Sequence, residues 1–501
     1  MDRSARGRRA GVRRKRLSAS VAILALLSAC GGGGGGGTGG DGGGAGPPIV
    51  APPAPPPPPP SGNACSLRAR QDWAAAKLNE WYLFPESMAA NVNPDSFTSV
   101  QDYIDALVAP ARAQNKDRFF TYVTSLAADN AYFTSGASAG LGARLSIDTA
   151  ARRLLISEAF EDAPALAAGI DRGTEILAIG IGAADLRTVH SIIAAEGSAG
   201  ISAALGPNTA GTARLLRVRD TNGTIRDVTV AKAEITVAPV SSRYGARILD
   251  DNGKKVGYLN LRTFIDTADP QLRNAFAQFK AQGVSEMIVD FRYNAGGQLA
   301  IADLVSNLLL GQRTAADVMN FRVHRPSKSS LNKAIYFAPQ PQSIASMKIA
   351  FIATGSAGSA SEVVMNSVIP YLGGKTALIG ANTYGKPVGQ GVFDLAQCDD
   401  RMRMIAFVTQ NSEKQGDYFN GIASKFQSTC SAPDDLARPL GDAQESMVKS
   451  ALDFLAGRPC ASPISGGGGG ITAQAVGKAP ARELLTPNAP DTVQRELPGF
   501  F

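Results

Sequence analysis

The stretch Ile349-Ala350-Phe351-Ile352-Ala353-Thr354-Gly355-Ser356-Ala357-Gly358-Ser359-Ala360-Ser361-Glu362 opens with an unbroken apolar run and passes through small residues. It ends where helical spacing begins, over Glu362–Tyr371. A short continuous apolar run suits a strand covered on both faces. A loop of small residues between a strand end and a helix start holds Ser359 at the positive end of the helix, where backbone amides favour developing negative charge. On this loop alone, the serine is either a nucleophile or an N-cap. The same alternation extends in both directions. Val256–Leu261 reads as a strand, Pro270–Gln282 as a helix, Met287–Phe291 as a strand, Leu299–Leu310 as a helix and Ala377–Ile379 as a strand. Strands alternating with amphipathic helices predict an α/β domain over residues 237–460, with crossover connections and a largely parallel sheet.

Upstream the pattern changes. Residues 136–236 carry short alternating strands punctuated by glycine, at Leu145–Ile147, Leu154–Ile156, Glu175–Ile179, Ala213–Val218 and Arg226–Val230. Residues 62–135 show helical spacing instead: Trp73, Ala76, Leu78 and Trp81, then Val100, Tyr103, Ile104 and Leu107. They predict a small helical domain whose aromatic stripe is core. Residues 31–61 are almost wholly Gly, Pro and Ala. Such a composition builds no core, so residues 30–61 read as a tether, flexible in its glycine part and stiffer across Pro55–Pro60. A second glycine run, Gly466–Gly470, opens a polar tail over 461–501 that is expected to be disordered.

The formal charge of +7 suggests a polyanion partner, but its distribution removes the suggestion. Residues 1–29 hold eight of the 50 basic and one of the 43 acidic side chains, and the remainder is balanced at 42 of each. A neutral mature chain has no general attraction for phosphate backbones, so nucleic acid is not expected as a partner. The basic start, the apolar run Val21–Leu27 and the small residues after it form a signal-peptide pattern, too short to span a bilayer as a mature helix. Leu27-Ser28-Ala29-Cys30-Gly31 resembles a bacterial lipobox. That resemblance implies lipidation at Cys30 and attachment to a membrane; a plain signal peptide with an incidental cysteine is the alternative. Gly31 in place of an aspartate implies the outer membrane, facing the periplasm or the cell surface.

Four cysteines remain, and an even number in an exported chain suggests two disulfides. The expected pairs are Cys398 with Cys430 and Cys65 with Cys460. None lies in a C-x-x-C motif, and neither a metal nor a cofactor is expected.

A serine nucleophile needs a base. The chain has two histidines, His190 and His324, neither in a catalytic-looking motif. A lysine serves if burial lowers its pKa. Lys386 follows the strand Ala377–Ile379 in Gly380-Ala381-Asn382-Thr383-Tyr384-Gly385-Lys386-Pro387-Val388-Gly389-Gln390.

Together, Ala357-Gly358-Ser359-Ala360-Ser361-Glu362 and Thr383-Tyr384-Gly385-Lys386 with Gln390 resemble the C-terminal processing peptidases, also called tail-specific proteases. A third matching segment is Val289-Asp290-Phe291-Arg292-Tyr293-Asn294-Ala295-Gly296-Gly297. Val256–Leu261 with Phe264, Trp81-Tyr82 and Asp117-Arg118-Phe119 extend the likeness over about residues 65–460. The resemblance implies a peptidase domain of the ClpP/crotonase-like type and a serine endopeptidase that cleaves exported proteins near their C-termini. Ser359 would be its nucleophile, with Ser361 as the alternative, and Lys386 its general base, steadied by Gln390. The amides of Gly297 and Ala360 would form the oxyanion hole. Pro387 stands where the family usually has glycine.

Asp162-Ala163-Pro164-Ala165-Leu166-Ala167-Ala168-Gly169-Ile170, Gly173 and Ile176–Gly180 resemble a PDZ domain, either preceding the peptidase domain or inserted. In that family the loop matching Gly140-Leu141-Gly142-Ala143 receives a peptide's C-terminal carboxylate, which makes Gly140, Leu141 and Gly142 the expected peptide-binding residues. Two rivals stand beside the enzyme: a non-catalytic peptide- or ligand-binding lipoprotein on the same fold, and an adaptor acting through its PDZ-like part. On a regulatory partner the sequence is silent.

Overall fold

The computed structural model describes residues 64–460, 462–464 and 482–501, so the signal segment, Cys30 and the tether lie outside the described residues. In chain order, the front segment comprises α1 (Leu67–Trp81), α2 (Val100–Ala113), β1 (Tyr122–Ser125) and α3 (Leu126–Ser135). A β-rich domain follows: β2 (Ala137–Gly140), β3 (Ala143–Asp148), β4 (Arg153–Ala159), α4 (Pro164–Ala167), β5 (Glu175–Gly180), β6 (Arg187–Thr188), α5 (Val189–Leu205), β7 (Ala213–Arg219), β8 (Ile225–Ala231) and β9 (Ala233–Thr236). The α/β domain opens with β10 (Ala246–Asp251), β11 (Lys254–Asn260), α6 (Ala268–Ala281), β12 (Glu286–Asp290), α7 (Leu299–Leu309), β13 (Val318–His324) and β14 (Lys333–Tyr336). It continues through β15 (Lys348–Ala353), α8 (Ala360–Leu372), β16 (Thr376–Gly380), β17 (Val388–Leu395), β18 (Asp400–Asn411), β19 (Ser428–Ser431) and α9 (Ser446–Leu455). Last come β20 (Glu483–Leu484) and α10 (Thr492–Glu496).

The central sheet runs β10-β11-β12-β15-β16-β19, parallel except at β10. Its strands are apolar throughout because both faces are covered. Met287, Val289, Ile349 and Phe351 pack with α6, α7 and α8, while Ile288, Ala350 and Ile352 pack against Val448 and Leu452 of α9. The two-residue period of a strand thus splits one apolar run between two cores. Parallel strands end on the same side of the sheet, and there β12 and β15 run into the loops at Gly296 and Ser359.

The sequence reading missed a second sheet, antiparallel, in the order β1-β18-β13-β14 with β17 also on β18. The front segment is therefore not purely helical. β1 joins this sheet, and Leu78, Tyr82, Ile104 and Val108 share a core with Val388, Met402, Met404 and Ile405 of β17 and β18. The β-rich domain is inserted, since β2 and β9 pair as a neck at its entrance and exit. Helix α5, with its two glycines, was also not anticipated; Gly197 adopts φ +64° and kinks it.

Two further expectations are corrected. The disulfides are Cys65–Cys398 and Cys430–Cys460, with Cα separations of 5.4 and 5.6 Å. The first ties the start of α1 to the turn between β17 and β18. The second ties β19 to the chain just after α9. The end of the chain is also not a disordered tail, because residues 482–501 pack against the β-rich domain and bury Leu485, Leu497, Phe500 and Phe501 almost completely. Four apolar side chains spaced through polar sequence supply the burial that the overall composition conceals. No described helix is long and apolar enough to cross a membrane.

Candidate active site

Ser359 immediately precedes α8, in a left-handed conformation (φ +51°) that a non-glycine residue adopts only when its surroundings enforce it. The enforcement comes from Glu362. Its buried carboxylate accepts the Ser359 amide at Oε2 (3.0 Å) and the Lys386 amide at the same oxygen (2.7 Å). Oε1 accepts the Gly385 amide (2.7 Å) and the Thr383 hydroxyl (2.5 Å). One carboxylate therefore binds the serine loop to the lysine loop. Burial pushes the Glu362 carboxyl above its usual range, and the four donors pull the other way. The sequence reading quoted Glu362 as part of a motif but gave it no role. Its position three residues after Ser359, where a first-turn carboxylate can reach back to an amide, was the available signal.

Lys386 is half-buried as a residue, yet its ammonium is closely surrounded, and burial draws its pKa below the ordinary lysine value. Glu496 is the next influence and raises it; Arg403 lowers it, and Asp117 and Glu362 raise it. The amine lies 3.3 Å from Gln390 Oε1 and 5.1 Å from the centre of the Phe120 ring. Gln390 is itself held, donating from Nε2 to Phe120 O (2.6 Å). Among the described residues, no hydrogen bond joins the Ser359 hydroxyl to this amine. Pro387 stands where the family usually has glycine, and its carbonyl accepts both the amide (2.8 Å) and hydroxyl (3.0 Å) of Thr409 on β18.

The front segment supports the lysine loop. Arg118 donates to the carbonyls of Gly385 (2.8 Å), Phe419 (3.1 Å) and Tyr384. Asp117 accepts from Tyr82 (2.9 Å), the Thr121 hydroxyl (2.7 Å) and the Phe120 amide (2.8 Å), shaping the turn that presents Phe120. Trp81-Tyr82 and Asp117-Arg118 had been matched as motifs without an assigned task.

The glycine pair after β12 faces Ser359. Gly296 and Gly297 have φ of +124° and +132°, and a Cβ on Gly296 would come within 2.7 Å of Ser359 Cβ and 3.1 Å of its Oγ. No side chain fits there. The Gly296 amide is committed to Asn294 Oδ1 (2.9 Å). Phe264 bonds through its own amide to Gly296 O (3.0 Å) and accepts the Gln298 amide (2.7 Å), which leaves the Gly297 amide directed away from Phe264. Behind this loop, buried Arg292 is clasped by Asp290, Glu445 and Asp434. Ser361, the alternative nucleophile, is fully buried and donates to Asn294 O (3.0 Å). His190 lies beside Arg152 and His324 packs at a tilt against Phe407, so neither histidine supplies a base here.

Residues 255–422, the stretch that carries Gly297, Ser359, Lys386 and Gln390, match the model of peptidase family S41. Over these residues the chain is similar to that family. It is 26% identical over 263 residues to a carboxyl-terminal-processing protease of Picosynechococcus sp., covering 52% of this chain and 58% of that protein. It is 26% identical over 317 residues to the chloroplastic carboxyl-terminal-processing peptidase 3 of Arabidopsis thaliana, covering 62% and 57%. The chain thus spans somewhat more than half the length of these curated relatives. Among solved structures, an S41 protease from Bacteroides fragilis superposes with a TM-score of 0.58 at 24% identity, over 77% of this chain and 97% of the other, and so shares the fold.

Proposed function

We propose that this chain is a serine endopeptidase of the S41 type in which Ser359 and Lys386 form the catalytic dyad and cleavage falls near the C-termini of exported proteins. The observation that carries the reading is the Glu362 carboxylate, which holds a strained serine and a buried lysine on adjoining loops. Neutral Lys386 takes the proton from Ser359 Oγ as that oxygen bonds to the scissile carbonyl carbon. The Gly297 and Ala360 amides hold the resulting oxyanion; such donors typically supply about 3 kcal/mol each. The ammonium of Lys386 then gives its proton to the leaving amine, the C–N bond breaks, and an acyl-enzyme remains. Water attacks the ester with Lys386 again as base, and Ser359 regains its proton. Gln390, which accepts from the amine at 3.3 Å, steadies Lys386.

The inserted domain is read as PDZ-like, with Gly140, Leu141 and Gly142 receiving an extended peptide through their amides. Short strands, the single-turn helix α4 and the longer α5 against β5 support that reading. Export as a lipoprotein modified at Cys30 and held at the outer membrane completes the proposal; two disulfides suit an oxidising compartment. The test is acyl-enzyme trapping, in which a fluorophosphonate probe is mapped by mass spectrometry on the wild type, Ser359→Ala and Lys386→Ala. An adduct on Ser359, lost in both variants, is expected. An adduct that persists in Lys386→Ala refutes the dyad.

A further inference from the structure

The loop read as a peptide receptor is occupied by the chain's own last residues. Phe501 O accepts the amides of Gly142 (2.9 Å) and Ala143 (3.4 Å), and the Phe501 amide donates to Ala143 O (3.0 Å). Gly499 O accepts the Leu145 amide (2.7 Å), and further along the same edge the Leu485 amide donates to Leu145 O (2.9 Å) before β20 pairs with Ser146 and Ile147. Antiparallel main-chain pairing along an exposed strand edge is how an extended peptide adds to a sheet. The side chains complete the likeness. Phe501 enters the apolar cluster of Leu141, Leu145, Ile192 and Leu205, and Phe500 stacks on Phe160 at 5.8 Å. Gly140 is required by this guest, since a Cβ there would stand 2.9 Å from the Phe501 carbonyl carbon.

The same segment connects to the surroundings of the site by two routes. Arg144 on β3 donates from one nitrogen to Pro498 O (2.9 Å) and to Tyr293 O (3.1 Å), three residues before Gly296. Arg172, also on the β-rich domain, donates to the Tyr293 hydroxyl (2.9 Å). On the other side, α10 sets Glu496 against the Tyr122 hydroxyl (3.0 Å), where its negative charge acts on the Lys386 ammonium. With the segment docked, a carboxylate favours the charged lysine, and the amine is not bonded to Ser359. Both conditions oppose proton abstraction.

We propose that residues 482–501 are an internal ligand of the β-rich domain that restrains the Ser359–Lys386 site, and that an extended peptide carrying adjacent aromatic residues displaces them and releases it. This rests on the dyad reading above for its catalytic half and on main-chain geometry alone for its binding half. A ligand tethered in the same chain acts at a millimolar effective concentration, so a free peptide of micromolar affinity binds on the order of 100- to 1000-fold more weakly than its intrinsic affinity.

The experiment uses the full chain, a fluorescently labelled peptide Glu-Leu-Pro-Gly-Phe-Phe and the rate of fluorophosphonate labelling at Ser359. The Phe500→Ala/Phe501→Ala variant is expected to bind the peptide at least about tenfold tighter than the wild type and to label faster; millimolar peptide accelerates labelling of the wild type. Equal peptide affinity in the two proteins overturns the proposal. Tighter binding with an unchanged or slower labelling rate, in protein that does label, overturns the restraint. Hydrogen exchange on the wild type covers the case of a misfolded variant. Saturating peptide must deprotect residues 482–501 while β3 stays protected, and retained protection of the segment refutes displacement. Peptide binding without labelling in any form counts against the dyad and leaves the internal ligand standing.

Discussion

In the proposed mechanism Glu362 has no part in the bond changes, yet its carboxylate bonds the amides of both Ser359 and Lys386. Replacing it by alanine leaves four donors without an acceptor in a fully buried place. Each such loss costs about 1–3 kcal/mol, so Glu362→Ala is expected to lower unfolding free energy by about 3 kcal/mol or more in urea titration. Glu362→Gln keeps size and one oxygen acceptor but turns an amide toward donors. Folded protein with Ser359 labelling slowed about 100-fold is expected, the usual effect of misplacing reacting groups by an ångström. Normal labelling in the glutamine variant would show that the two loops hold themselves. On the proposed dyad, Lys386 gives the site its pH dependence. Its base form appears as pH rises through a pKa that burial places below the ordinary lysine value, so the labelling rate climbs with pH and levels off before that value. Glu496, Asp117 and Glu362 favour the ammonium and Arg403 opposes it. Glu496→Gln is therefore expected to move the rising limb to lower pH; a limb that stays or moves upward contradicts the assigned neighbourhood. The sign for stability follows from the same shift. Lys386 penalises the folded state fully below its folded pKa, and the penalty disappears as pH rises to the unfolded value.

Among the elements, β12 and β15 could be read because strands covered on both faces are continuous apolar runs, and their neighbouring helices carry a clear stripe. The loops at Gly296-Gly297, Ser359 and Lys386 were legible only together, through their order and their resemblance to one peptidase family, because each alone reads as an ordinary small-residue turn. The antiparallel sheet was not. β18 mixes Asp400, Arg401, Arg403 and Gln410 with apolar residues, and its partners β1 and β13 lie far away in sequence. Helix α5 was hidden by glycine and small residues, and β20 and α10 by the glycine run before them. The disulfide pairing was hidden because it follows from tertiary placement, which brings the start of α1 to the β17–β18 turn. Arg292 illustrates the same limit within a motif that had been read. Its partners Glu445 and Asp434 are more than a hundred residues away; Glu445 also caps α9 by accepting the Val448 amide (3.1 Å). Strand β12, the glycine loop and α9 thus meet on one buried guanidinium. Arg292→Met leaves Asp290 and Glu445 charged and unpaired, and a loss of about 3–5 kcal/mol is expected in chemical denaturation. A loss under about 1 kcal/mol would mean that the carboxylates find other partners or take up protons at little cost.

At the scale of the molecule, the described residues form one compact unit, and the two disulfides brace it very differently. Cys65–Cys398 closes a loop across 333 positions and Cys430–Cys460 across 30. If a cross-link acts by restricting the unfolded chain, the long closure stabilises by at most roughly 6 kcal/mol and the short one by roughly 4 kcal/mol, with strain and residual structure reducing both. Neither bridge lies in the serine or lysine loop, where positions are fixed by Glu362 and Arg118. The stability of the fold and the reactivity of the site should therefore separate. Cys65→Ser/Cys398→Ser is expected to shift the urea midpoint more than Cys430→Ser/Cys460→Ser, and in each folded variant Ser359 labels at close to the wild-type rate. The long bridge is the more demanding case, because it anchors the front segment whose Asp117–Phe120 turn stands against the Lys386 amine. A labelling rate that falls with the first pair while the protein remains folded would show that the front segment is held to the lysine loop by the disulfide, and that the core of Leu78, Tyr82, Ile104 and Met404 does not suffice. An unchanged rate with a lowered midpoint would assign that task to the core and leave the bridge guarding only the unfolded side of the equilibrium.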